Sequence, residues 1–322
     1  MPYGRARRPM PDSEHAIIVS ALVKDFPGVR AVDGLTFSVA RGEIFGLVGP
    51  DGAGKTTTMR VLAGVMSPDS GSALIGGCDV VRDPEAVKRR ISYMPQRFGL
   101  YEDLTVRENI RFYADLFGVR RRERDLRAAR LLAACGMSQF QDRLAGKLSG
   151  GMKHELGLVC ALIHTPQVLL LDEPTNGVDP VSRREFWAML YDLVGQGVTI
   201  VNSTAYLDEA ERCHRVALMH RGRLLFCDQP GRLKQRLPGD VIAVVSPAAS
   251  QLRDSLGRLP GVGSVLLIGD AVHLFVDDAS RRIPEISRAL ESMRLPFDEV
   301  VQITPTIEDL FVNAVSERER AA

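Results

Sequence analysis

The chain has 322 residues and a formal net charge of +1, from 41 Lys and Arg against 40 Asp and Glu. This balance excludes a global electrostatic pull toward nucleic acid or anionic lipid, so any polyanion must be held locally. At about 100 to 200 residues per domain, the length predicts two cores. Five cysteines, Cys78, Cys135, Cys160, Cys213 and Cys227, form no C-x-x-C pair and read as reduced thiols rather than a zinc or redox centre. The apolar stretch 262–276 is broken by Gly269 and Asp270. It falls short of the roughly 20 residues of a membrane helix, so the chain is not expected to cross a bilayer by itself.

The N-terminal segment to Ser13 is rich in Arg and Pro and lacks the apolar core of a signal peptide, so 1–14 is expected to be a disordered leader. From residue 15 to 237, β-rich runs at 17–22, 44–48, 168–171, 198–201 and 217–219 alternate with helical stretches, which predicts an α/β domain with a largely parallel sheet. Between 106 and 145 the pattern turns to Arg-rich helix, and a helical insertion is expected over about 97–160. Beyond Leu237, Pro238, Gly239 and Asp240 the order becomes strand 241–245, helix 248–259, strand 262–268, a turn at Gly269 and Asp270, strand 272–276, helix 283–293 and strand 299–303. That β-α-β-β-α-β order predicts a small ferredoxin-like α+β domain over 238–322.

Gly49, Pro50, Asp51, Gly52, Ala53, Gly54, Lys55 and Thr56 fit G-x-x-x-x-G-K-[ST], after the apolar run 44–48 and at the start of a helical stretch. In that setting glycines let backbone N–H groups converge on phosphates. Lys55 supplies a mobile cation, the Thr56 hydroxyl is offered to Mg²⁺, and Ala53 and Thr57 belong to the same cradle. The run 168–171 reads as a buried strand ending in Asp172 and Glu173, where an open α/β sheet presents groups to a ligand. Asp172 is expected to hold Mg²⁺ directly or through water, and Glu173 to orient or deprotonate an attacking water.

Between these motifs stand Leu148, Ser149, Gly150 and Gly151, followed by an apparent helix. With Gln96 in Tyr93-Met94-Pro95-Gln96 and Asp179 in Gly177-Val178-Asp179-Pro180, they make the chain resemble the ATP-binding subunits of ABC transporters over essentially its whole length. The resemblance implies a P-loop NTPase of ABC ATPase type with a helical subdomain, using ATP and Mg²⁺. It also implies that Ser149 and the amides of Gly150 and Gly151 contact the γ-phosphate held by the opposite subunit. Gln96 would reach the metal and the water while coupling the helical subdomain to a membrane partner, and Asp179 would stand at the dimer seam. Phe26 sits where such proteins place a ring that stacks on adenine, a task that needs only a π-face; an ordinary core phenylalanine is the other reading. The segment Pro305-Thr306-Ile307-Glu308-Asp309-Leu310-Phe311 is similar to one closing many drug-exporter ATPases of the ABC-2 type, daunorubicin-type efflux ATPases being the nearest group.

The run from Ser203 and Thr204 through Asp208, Glu209, Ala210 and Glu211 resembles that group's S-T-H-x-x-D-E-A-E, but Ala205 stands where the resemblance puts a switch histidine. Alanine cannot donate to a γ-phosphate, and losing one preorganised donor costs roughly 100- to 1000-fold in rate. Neither His214 nor His220 is expected to substitute. Glu155, in Met152-Lys153-His154-Glu155-Leu156, puts a negative charge where M-K-Q-R-L is usual. Because it complements the helix dipole, its structural cost is expected to be small.

The resemblance implies a peripheral subunit on the cytoplasmic face of the membrane, working with a separate membrane-spanning permease. Its ATPase partner would be a second copy or another ABC ATPase subunit, and nucleic acid is not expected as a partner. The alternatives are a non-transport ABC ATPase of repair or translation and a regulatory ATP-binding module. The run Arg120-Arg121-Arg122-Glu123-Arg124-Asp125 reads either as a solvated helix face or as a docking face for permease loops.

Overall fold

The structure, a computed structural model, describes residues 14–96, 99–237, 239–293 and 295–321. The leader expected over 1–14 therefore lies outside the described residues except for Glu14. The chain divides into two compact units, Met1–Glu209 with Cys213–Cys227, and Ala210–Arg212 with Asp228–Ala322. The short helix Pro230–Lys234, which the sequence reading groups with the first domain, belongs to the second unit.

At the centre of the first unit is a six-stranded sheet in the order Arg223–Asp228, Arg215–His220, Ile44–Val48, Thr199–Thr204, Val168–Asp172, Ile91–Met94. Ile44–Val48 runs parallel to both its neighbours, and Val168–Asp172 runs parallel to both of its own. Every residue of Ile44–Val48 and of Val168–Asp172 is buried, as a strand covered on both faces requires. The register pairs Val48 with Thr204 and Asp172 with Ser203. The carboxyl ends of these strands thus share one edge, where the chain leaves the sheet at Gly49, Pro95, Glu173 and Ala205.

A second, four-stranded sheet escapes the alternation argument because it is antiparallel and contains no crossover helix. His15–Phe26 pairs antiparallel with both Val29–Ala40 and Ser70–Ile75, and Cys78–Asp79 lies at the edge. The expectation of a largely parallel sheet holds for the central layer and is corrected here for the N-terminal one. Met59 and Leu62 of the helix Lys55–Leu62 are fully buried in one core with Ile17, Val19 and Leu170. Phe37 stacks on Phe45 at 5.1 Å between ring centroids, joining the two layers. The insertion expected over 97–160 contains the helices Val106–Leu116, Arg121–Ala134 and Gly150–Leu162, which enclose a separate core around Ile110, Leu132 and Leu156. A capping box between Thr105 and Glu108 starts the first of them.

In the second unit Val262–Ile268, Ala271–Val276, Asp240–Val245 and Glu299–Ile303 form an antiparallel sheet in that order, the ferredoxin-like arrangement. Ala249–Leu256 and Ala279–Met293 pack on one face through Leu252, Ile286 and Leu290. The second helix begins earlier than the expected residue 283 because Asp278 accepts hydrogen bonds from the N–H groups of Ser280 and Arg281. The helix Ile307–Ala321 has no counterpart in the sequence expectation. Its first turn is locked by Asp309, whose Oδ2 accepts the Thr306 N–H and hydroxyl, both at 2.8 Å, while Oδ1 lies 2.8 Å from His273 Nδ1.

Asp309 is fully buried. Burial alone would raise its pKa, but the contacts with His273 and Thr306 outweigh it and hold the carboxyl below the usual range. A group depressed in the folded state contributes stability above its ordinary pKa, and that stability is lost as pH falls through the folded value. Asp309→Ala is predicted to cost about 2–3 kcal/mol, read as a fall in denaturant midpoint, by removing a cap and stranding buried donors. An unchanged midpoint would exclude this anchoring role.

Candidate active site

The loop between Ile44–Val48 and Lys55–Leu62 has the composition its surroundings demand. A Cβ on Gly49 would lie 2.3 Å from the Met219 carbonyl oxygen, and one on Gly54, at φ 97°, would lie 2.3 Å from that of Ala31. Only glycine fits either place without moving backbone. Gly52 and Ala53 complete the turn, with the Ala53 N–H donating to the Pro50 carbonyl at 3.1 Å. Lys55 is only 4% exposed, and its Nζ donates to the carbonyls of Gly49 at 2.7 Å and Pro50 at 3.1 Å. The same ammonium pairs with Glu173 Oε1 at 3.1 Å.

Asp172, 1% exposed, gathers the other segments. Its Oδ1 accepts hydrogen bonds from Ser203 Oγ at 2.7 Å and Thr56 Oγ1 at 3.1 Å, and its Oδ2 accepts one from the Tyr93 hydroxyl at 3.2 Å. Burial first, then the charge of Asp172 and the hydrogen bond to it, push the Tyr93 phenol up to about 12, so it remains a proton donor at neutral pH. Glu173 adopts φ 52°, a conformation that costs a non-glycine residue on the order of 1 kcal/mol or more. Its N–H donates to the Ser203 carbonyl at 3.0 Å, and its Oε2 accepts from Gln96 Nε2 at 3.1 Å. Lys55, Thr56, Gln96, Asp172 and Glu173 are therefore joined in one network, with Thr57 on the same helix.

The hydroxyl of Thr56 and the carboxylate of Asp172 form an all-oxygen donor pair, which suits a hard cation such as Mg²⁺ that keeps most of its shell in water and phosphate. Among the described residues there is no cluster of three or more His, Cys, Asp or Glu that would make a self-contained metal cage.

A second group lies where Gly150–Leu162 meets Pro180–Gly195. Ser149 caps the first helix through the Met152 N–H at 3.3 Å, and Asp179 caps the second through the N–H groups of Val181 and Ser182. The Ser182 side chain first, and then these backbone bonds, hold the Asp179 carboxyl below its ordinary range. A Cβ on Gly151 would approach Ser182 Oγ to 2.8 Å, so a larger residue there would displace that side chain. Ser149 and Gly150 are exposed, as is Asp179.

Glu155 corrects an expectation. It lies beyond the first turn of its helix, where the dipole has faded, and it is only 8% exposed. Burial, then repulsion from Glu185 and Asp179, raises its pKa to about 7, so its structural cost is substantial.

Phe26 is 40% exposed at the end of its strand, so the reading as a core phenylalanine is not met. Five positions on, Ala31 touches Gly54, which places this hairpin against the phosphate loop. His214 Nδ1 accepts the Ile44 N–H at 3.0 Å, at the opposite end of that strand from the loop. Ala205 lines a cavity of about 150 Å³ together with Asp51, Glu173, Asn176 and Tyr206. Sequence reasoning missed Tyr93, Ser203 and Tyr206 as members of the site. The parallel pairing of Asp172 with Ser203 and Leu171 with Met94 is the signal that brings the first two to the carboxylate.

The sequence pattern of the family described as ABC transporter matches residues 32–176. The chain is 45% identical over 305 residues to a probable multidrug ABC transporter ATP-binding protein, YbhF, of Escherichia coli K12, covering 94% of this chain and 52% of that protein. It thus spans about half the length of that relative. It is 34% identical to the daunorubicin resistance ATP-binding protein DrrA2 of Streptomyces coeruleorubidus, over 94% of this chain and 96% of that one. A solved structure of an ATP-binding subunit of an ABC transporter superposes with a TM-score of 0.63 at 30% identity, covering 69% of this chain and 92% of the other.

In the unfolded chain the Glu155 carboxyl ionises earlier than in the folded one, so its contribution to stability declines as pH rises from the ordinary carboxylate range to about 7. Glu155→Gln is expected to raise the Tm by a few degrees at about pH 8 and to match the unmodified protein at about pH 4. A Tm difference that does not change with pH would exclude the assignment.

Proposed function

Because the chain belongs to the family of ABC transporter ATP-binding proteins, we propose that it binds ATP with Mg²⁺ at the loop 49–57 and hydrolyses it to drive a separate membrane-spanning permease. The observation that carries this reading is the single network joining Lys55, Thr56, Asp172, Glu173 and Gln96 at the carboxyl edge of a parallel sheet.

The phosphates of ATP meet the converging N–H groups of the glycine loop and take over the Lys55 ammonium, since they carry more charge than the Glu173 carboxylate that pairs with it. That exchange leaves Glu173 as a proton acceptor beside Gln96, which orients the water. The water oxygen bonds to the γ-phosphorus, the bond to the bridging oxygen of ADP breaks, and a water proton passes to Glu173. Thr56, Asp172 and Gln96 would hold Mg²⁺, which when bound neutralises charge on the phosphate oxygens. Phe26 offers its exposed face to adenine.

Ser149, Gly150 and Gly151 act on ATP held by a second cassette, with Asp179 at the seam between the two. The second cassette is another copy of this chain or a different ABC ATPase. The first unit serves as the nucleotide-binding domain and the second as an accessory domain. The chain works as an exporter subunit at the cytoplasmic face of a membrane, and the names of the relatives, a probable multidrug ABC transporter ATP-binding protein and a daunorubicin resistance ATP-binding protein, support drug-type compounds as the cargo. Among the described residues no helix is long and apolar enough to cross a membrane, which fits a permease on a separate chain.

Position 205 offers no side-chain donor of its own, while the groups that bind nucleotide are complete. Purified protein is expected to bind ATP and turn it over slowly. Lys55→Ala should weaken ATP binding at least about tenfold, and Ala205→His should raise turnover by up to about 100-fold. Binding by nucleotide fluorescence and phosphate release together test this. ATP affinity that survives Lys55→Ala unchanged would sink the reading, and fast turnover without Ala205→His would overturn the role given to position 205.

A further inference from the structure

The cavity at Ala205 has a polar wall that none of the site motifs accounts for. Tyr206, the next residue, has an exposed ring whose position is nevertheless set from three sides. Its N–H donates to Thr204 Oγ1 at 3.0 Å, its ring lies beneath the Arg183 guanidinium at 4.5 Å, and its hydroxyl donates to Asn176 Oδ1 at 3.4 Å. Arg183 is in turn attracted from below by charge. Its Nε lies 3.8 Å from Oε1 of Glu209, an ion-pair contact too long for a hydrogen bond, and that fully buried carboxylate accepts from Thr175 Oγ1 at 2.6 Å and Trp187 Nε1 at 3.4 Å. A surface tyrosine held by a buried acid through a stacked arginine is more constrained than packing alone requires.

The consequence falls on Asn176. Its side-chain oxygen accepts the Tyr206 hydroxyl, which sets the orientation of the amide and keeps the Nδ2 end, with its two N–H donors, available to a ligand. Asn176 and Tyr206 line the same cavity as Glu173 and Ala205. We propose that Asn176, oriented by Tyr206, supplies the hydrogen-bond donor to the terminal phosphate or attacking water that the side chain at 205 cannot supply. Asn176 is then a catalytic residue and Tyr206 its positioning residue. The assignment deepens the ATPase reading and rests on it.

The test uses the full chain with ATP and Mg²⁺, comparing Tyr206→Phe and Asn176→Ala in the natural background and beside Ala205→His. Tyr206→Phe keeps the ring under Arg183 and removes only the hydroxyl. In the natural background it should lower kcat about tenfold, and Asn176→Ala about 100-fold, with ATP affinity within about twofold of the unmodified protein. With histidine at 205 the donor becomes redundant, and both losses should shrink to about twofold. Equal losses in the two backgrounds mean a merely structural role and overturn the proposal, as does an unchanged kcat for Tyr206→Phe in the natural background. Failure of the ATPase reading itself is separately visible, as ATP binding indifferent to Lys55→Ala.

Discussion

A buried carboxylate is costly unless every lone pair facing the protein is satisfied, and Asp172 meets that demand by drawing three other segments to itself. Thr56 comes from the start of the phosphate-loop helix, Tyr93 from the edge strand, and Ser203 from the neighbouring central strand. Each bond depends on the parallel register, which aligns Asp172 with Ser203 and the residue before it with Met94. A slip of one position would turn these side chains to the other face of the sheet and leave the carboxylate buried without partners. The fold and the site thus depend on the same alignment.

The residue after Asp172 shows how that alignment becomes chemistry. Glu173 turns into the left-handed region at φ 52°, held there by the hydrogen bond of its N–H to Ser203. This strain directs the carboxylate to Lys55 on one side and Gln96 on the other, rather than along the strand. In the proposed reaction this pairing stores Glu173 against a cation that phosphates would bind more strongly, which would make nucleotide binding and release of the base one exchange. Tyr206, Arg183 and Glu209 repeat the design around the cavity at Ala205, with a buried acid positioning an exposed polar group.

The second unit obeys the same rule in a different place. Asp309 is fully buried, and its two oxygens are divided between His273 on a strand and Thr306 at the helix start. The closing motif 305–311 is thereby explained locally, as a helix cap joined to a cross-element anchor. Glu155 is the opposite case. It is buried beside Asp179 and Glu185, and this raises its pKa instead of lowering it.

Much of the architecture was legible in the chain itself. Apolar runs such as 44–48 and 168–171 read as central strands because both faces are covered, and the glycines at 49 and 54 read as a phosphate loop because their spacing admits few other uses. The ferredoxin-like order after Asp240 followed from turn chemistry at Gly269 and Asp270 and from alternating periodicities. The antiparallel N-terminal sheet was not legible, since strands such as Val29–Ala40 pair through contacts that local patterning does not encode. Nor was the helix Ile307–Ala321, whose anchor lies on a strand more than thirty positions earlier in the chain. Sequence alone determined which residues fit the pattern of a phosphate site, because that chemistry needs particular side chains at particular spacings. Only the tertiary structure decided that Tyr93 and Ser203 complete Asp172, that Glu155 is buried among like charges, and that Tyr206 orients Asn176, because these relations join positions distant in sequence through sheet register and burial.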